Sequence, residues 1–91
     1  MREVDAVRYS KAAQKFIKKQ DAKERNRIKK AIEDNLKHVP ATGDIKPLAG
    51  FFDGRKRLQI GSIRIIFKYD KDNHLLILSI LDIGNRGDIY K

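Results

Sequence analysis

The chain has no cysteine and no tryptophan, and only two prolines and two histidines among its 91 residues. Without cysteine there can be no disulfide, no thiolate metal site and no thiol nucleophile, although the compartment is not fixed by that alone. No apolar run approaches the roughly 18 residues that a membrane-spanning helix needs. The opening Met1-Arg2-Glu3-Val4-Asp5 mixes charges where a secretory signal would carry an apolar core. A soluble, cytoplasmic protein is therefore expected. Negative charge is also scarce: 12 Asp and Glu stand against 21 Lys and Arg, for a formal net charge of +9. Such a charge repels itself in the compact state and favours an anionic partner, whether nucleic acid, an acidic protein or an anionic surface.

What is present suffices for a single domain spanning residues 1–91, since 41% of the residues are hydrophobic. Residues 3–9 read as a strand, with Val4, Ala6 and Val7 as candidates for its inward side. Ser10 is placed to cap a following helix, because a side-chain oxygen there can accept an orphan backbone N–H. Ala12, Ala13, Phe16 and Ile17 recur at helical spacing. Asp21 and Glu24 resemble the start of a second helix, whose apolar stripe is Ile28, Ala31, Ile32 and Leu36, with His38 in its last turn and Pro40 beyond.

Residues 40–54 hold both prolines and three of the six glycines, and read as a loop with room for a short strand or turn around Leu48. Residues 70–73 read as a hairpin turn rather than as a metal site with His74. Leu75 to Leu81 is apolar except for Ser79, as in a strand covered on both faces. Gly84 to Gly87 breaks the pattern, and Asp88-Ile89-Tyr90 resumes as a short strand. The expected fold is α+β, in the order β-α-α-β-β-β. Two N-terminal antiparallel helices pack on a mostly antiparallel four-stranded sheet.

Between the loop and that turn lies the stretch richest in chemistry. Arg55, Arg57 and Gln59 alternate with apolar Leu58 and Ile60, then Gly61-Ser62 suits a two-residue hairpin turn, and Arg64 and Lys68 follow. That turn sets Ile60 opposite Ile63, Gln59 opposite Arg64, Leu58 opposite Ile65 and Arg57 opposite Ile66. Arg57 and Arg64 become diagonal neighbours on one face, about 7 Å apart. Two guanidiniums so close repel unless an anion lies between them, and their planar paired donors fit phosphate oxygens.

The stretches Lys46-Pro47-Leu48-Ala49-Gly50, Arg57 to Phe67 and Ile83 to Tyr90 together resemble the RelE/ParE superfamily of bacterial toxins. The likeness implies a RelE-like, microbial-ribonuclease-like fold and the toxin component of a type II toxin–antitoxin system. By resemblance to the RelE-like members, the chain is expected to be a metal-independent endoribonuclease with no cofactor. It would cut mRNA in the ribosomal A site by attack of the ribose 2′-OH and so inhibit translation. The partners implied are a cognate antitoxin, mRNA on the ribosome and ribosomal RNA, with no membrane. The resemblance assigns catalytic positions to Arg57, Arg64, Arg86 and Tyr90, and Lys46, Arg55, Lys56, Gln59 and Lys68 are candidate RNA contacts. Gln59 stands where a well-studied member has lysine. Tyr90 is a better candidate base than His38 or His74, because neighbouring arginines favour the phenolate.

Other readings stand beside these. Arg55 is also consistent with a solvated face, Arg86 with a turn and Tyr90 with an aromatic plug. The basic helix faces fit either solvent or ribosomal RNA phosphates. Phe51-Phe52 is expected to be buried beneath the loop, with base stacking as the alternative. The rival functions are ParE-like inhibition of DNA gyrase and a catalytically silent nucleic-acid- or antitoxin-binding domain.

Overall fold

The computed structural model describes residues 1–85. Its elements are β1 (Arg2–Glu3), β2 (Ala6–Tyr9), α1 (Lys11–Lys18), α2 (Ala22–Asn35), β3 (His38–Val39), β4 (Asp44–Pro47), β5 (Lys56–Ile60), β6 (Ile63–Asp72) and β7 (Leu75–Asn85). Among the described residues the main sheet has five strands in the order β2-β7-β6-β5-β4, antiparallel except for the parallel β2–β7 pair. The α+β class holds, while the element order differs from the expected β-α-α-β-β-β and the main sheet has five strands where four were expected.

The additional main-sheet strand, β4, lies in the stretch read as a loop. Proline cannot donate to a ladder, yet an edge strand tolerates it, and β4 with Pro47 is an edge. The expected strand over residues 3–9 is two strands. The chain bends at Asp5, whose carboxylate accepts from the Leu76 amide at 2.7 Å. The preceding Arg2 and Glu3 then pair with Val39 and His38 in a separate ribbon. His38 is therefore in a strand and not in the last helical turn. The second hairpin turn falls at Asn73 and His74, both at positive φ, so β6 continues through Asp72.

Both expected helix starts are observed. Ser10 Oγ accepts from the Ala13 amide at 3.1 Å and Asp21 Oδ1 from the Glu24 amide at 2.8 Å. The helices bury Ala13, Ile28 and Ile32, with Leu36 at the cap of α2, against Leu58, Ile63, Ile65, Phe67, Leu78, Ile80 and Ile83 of the sheet. Of the first-strand candidates, Val4 and Val7 pack against this core while Ala6 is exposed. The parallel pairing with β7 selects one parity, and Tyr9 shares it with Val7.

Tyr69 ties α2 to the sheet. Its hydroxyl lies 2.7 Å from the Leu36 carbonyl and 3.2 Å from that of His38, and its ring meets Phe67 edge-on at 5.7 Å. Burial pushes the Tyr69 phenol up to about 12, against about 10 for a free phenol. Over that window the folded protein keeps a proton that the unfolded chain has released. Stability is therefore full below about pH 10 and declines as the pH climbs toward the folded value. Burial raises Tyr9 as well, adding a slope of the same sign. In melting curves across alkaline pH, Tyr69→Phe is expected to show a shallower decline than the wild type. It should lose about 1 kcal/mol at neutral pH for the missing hydrogen bond.

Candidate functional site

The hairpin of β5 and β6 has the register read from the sequence, with Ile60 on Ile63, Gln59 on Arg64, Leu58 on Ile65 and Arg57 on Ile66. Gly61 takes φ +58 in the turn, and a Cβ there would collide with the Arg27 guanidinium, so a side chain is opposed twice over. Alternation sends Leu58, Ile63, Ile65 and Phe67 to the helices, leaving Arg57, Gln59, Arg64, Ile66 and Lys68 on the opposite, open face.

Two rows cross that face. Lys46, Arg57, Ile66 and Asp82 lie side by side on β4, β5, β6 and β7, and Asp44, Gln59, Arg64 and Gly84 form the next row. Gly84 beside Arg64 presents no side chain, which leaves lateral room for a guanidinium. Arg57 and Arg64 thus occupy the diagonal arrangement expected. Arg57 Nη1 is buried without a hydrogen-bond partner among the described residues. An unmatched buried donor ordinarily costs about 1–3 kcal/mol, so its retention points to a ligand atom that completes it.

The remaining cations divide. Lys46 is exposed on the open face beside Arg57. Arg55 is held by Asp53, with Nη2 2.8 Å from Oδ2 and Nε 3.1 Å from Oδ1. Hydrogen bonding from Arg55 keeps the Asp53 carboxyl far below the usual carboxylate range. Lys68 Nζ stands 3.6 Å from both Asp53 and Asp70, and Asp70 also accepts from Ser79 Oγ at 2.8 Å. Arg55 and Lys68 are therefore matched by internal carboxylates. The Gln59 amide donates to the Gly61 carbonyl and braces the turn. Lys56 pairs with Phe67 and so has the parity of the helix-covered side, which separates it from the open-face cations. Arg86 and Tyr90 lie outside the described residues.

Sequence reasoning missed Asp82 and Asp53. Asp82 reaches the open face because a register shift between Ile66 and Phe67 pairs Ile66 with Asp82 but Phe67 with Ile80. Leu81 is thus an extra residue that alternation counted from Leu75 cannot anticipate. Asp53 comes from a loop whose path no periodicity describes. Phe51 and Phe52, expected beneath that loop, are instead exposed, because a short connection between two strands at the sheet edge has nothing to roof over. Among the described residues no three His, Asp or Glu side chains gather into a metal-sized cluster, and no helix is long and apolar enough to cross a membrane.

Comparison with known proteins finds both a family and similar solved structures. The family described as "ParE toxin of type II toxin-antitoxin system, parDE" matches residues 6–90. A chain in the crystal structure of the RelB–RelE antitoxin–toxin complex from Methanococcus jannaschii superposes with a TM-score of 0.62 and 24% identity, covering 91% of this chain and 94% of that one. No curated protein matches the sequence.

Proposed function

The chain belongs to the ParE toxin family of type II toxin–antitoxin systems, within the RelE/ParE superfamily, and from the cations on its open sheet face we propose that it is a ribosome-dependent endoribonuclease that cleaves mRNA in the A site. The 2′-OH of the ribose attacks the adjacent phosphate, and the products are a 2′,3′-cyclic phosphate and a 5′-OH. The reaction passes through a pentacoordinate phosphorane with added charge on its non-bridging oxygens. Fixed guanidiniums bind that charge more tightly than they bind the ground state. The observation that carries this reading is the buried Nη1 of Arg57, without a partner among the described residues, on a face shared with Arg64 and Lys46.

The toxin acts in the cytoplasm, where its substrate is translated, and is silenced by a cognate antitoxin, as the complex containing its structural neighbour suggests. An acidic, partly disordered peptide that folds on binding suits a domain of net charge +9.

Inhibition of DNA gyrase is the second reading, favoured by the ParE description of the matching family and by Gln59 in place of a cation on the open face. Two assays on the purified toxin separate the readings. In the first, programmed ribosomes are incubated with the protein and the mRNA 5′ ends are mapped by primer extension. In the second, gyrase supercoiling of relaxed plasmid is followed. Codon-positioned cuts bearing 5′-OH ends, with supercoiling intact, are expected. Uncut mRNA with supercoiling arrested would transfer the assignment to gyrase.

A further inference from the structure

Phe52 is fully exposed, at 102% of its reference area, and its neighbour Phe51 is 49% exposed. Burial of an aromatic ring is among the larger contributions a side chain makes to folding, and the fold collects none of it from Phe52. The loop around it is nevertheless ordered by specific contacts. The Arg55 guanidinium lies over the Phe51 ring at 4.1 Å, and Asp53 grips the same guanidinium through Nε and Nη2. Leu48 N donates to the Arg55 carbonyl at 3.3 Å and closes the base of the loop. Gly50 and Gly54, at φ +85 and +82, bracket the pair. This loop joins β4 to β5, the two strands that bring Lys46 and Arg57 side by side on the open face.

We propose that Phe52 is a base-stacking residue, holding one unpaired nucleobase of a single-stranded RNA whose backbone runs across Lys46, Arg57 and Arg64. The inference rests on the RNA reading above and adds to it how the strand is gripped. RNA alternates phosphate charge with flat aromatic faces, and a presented ring on the loop between the strands that carry Lys46 and Arg57 answers both. Only an unpaired strand exposes the face of a base. Phe51 stays on Arg55 and keeps the loop in shape, while Phe52 makes the contact.

The test compares binding, by fluorescence anisotropy at fixed low salt, of a short mixed-sequence single-stranded RNA and an abasic ribose–phosphate strand of equal length. Phe52→Ala is expected to weaken binding of the base-bearing strand by roughly 5- to 100-fold and to leave the abasic strand unchanged. Phe52→Trp should restore binding, with its indole emission quenched by the stacked base; the chain contains no other tryptophan. Full exposure of Phe52 makes both variants safe for the fold, which circular dichroism verifies. Undiminished RNA binding by Phe52→Ala, alongside weakened binding by Arg57→Ala, would overturn the stacking role and leave the RNA reading standing. Equal binding of both strands by wild type and Arg57→Ala would overturn the RNA reading itself. Loss of affinity for an acidic protein partner, with RNA affinity intact, would reassign Phe52 to protein docking.

Discussion

Arg57→Leu is expected to abolish toxicity and to melt at a higher temperature than the wild type. Losing one charge-stabilising donor from a reacting phosphate costs about 100- to 1,000-fold in rate, enough to turn growth arrest into near-normal growth. The same substitution removes a guanidinium whose Nη1 is buried without a partner among the described residues and sets an apolar side chain next to Ile66 on the adjacent strand. Relief of that desolvation cost should gain about 1 kcal/mol, or roughly 4–8 °C in a domain of this size. Arg57→Lys keeps charge but not the planar pair of donors, and should recover only part of the activity. Cleavage mapping and calorimetry on the same preparations check both halves. A variant that cuts mRNA as fast as the wild type removes Arg57 from the mechanism. A variant that is inactive only because it is unfolded leaves the stability argument without support. Opposite movements of activity and stability are the signature of a group retained for function.

Phe67→Ala carries the largest expected structural effect. Phe67 has no exposed surface and is held between the helices and the edge-on ring of Tyr69. It also sits where the β6–β7 register shifts, so the cavity would open at a joint of the sheet. Truncating a buried phenylalanine costs about 3–5 kcal/mol, against a total of about 5–15 kcal/mol for a typical domain. The melting temperature should fall by at least about 12 °C, with toxicity lost in proportion to the unfolded fraction. Phe67→Leu, which retains most of the volume, should keep the fold and most of the activity. If Phe67→Ala melted like the wild type, the helix-to-sheet core would not be the principal source of stability.

The parts of this structure legible in the sequence are those fixed by local alternation and local turn chemistry. Gly61 announces the first hairpin, and from it the positions of Arg57 and Arg64 follow without further information. Ser10 and Asp21 likewise announce the two helix starts. Elements that depend on a distant partner are not announced. Arg2–Glu3 and His38–Val39 are two residues each, too short for any period, and exist only because they meet. The strand Asp44–Pro47 is hidden by its proline, whose cost vanishes at an edge. At the candidate site the diagonal arginines were readable, whereas the partition of the cations was not. Arg55 and Lys68 look as available as Arg57 until Asp53 is brought against them by the loop. Asp82 looks inward-facing until Leu81 is found to be supernumerary.

That supernumerary residue is also a fastening. The Leu81 carbonyl accepts from Ser10 Oγ at 2.7 Å, while the same oxygen of Ser10 holds the first turn of α1, so one hydroxyl rivets the helix to the kink in β7. The segment immediately beyond the kink carries Asp82 and Gly84 onto the open face of the sheet. A binder that prises α1 from its seat therefore pulls on the far rank of the open face without touching it, through the Ser10 hydroxyl alone.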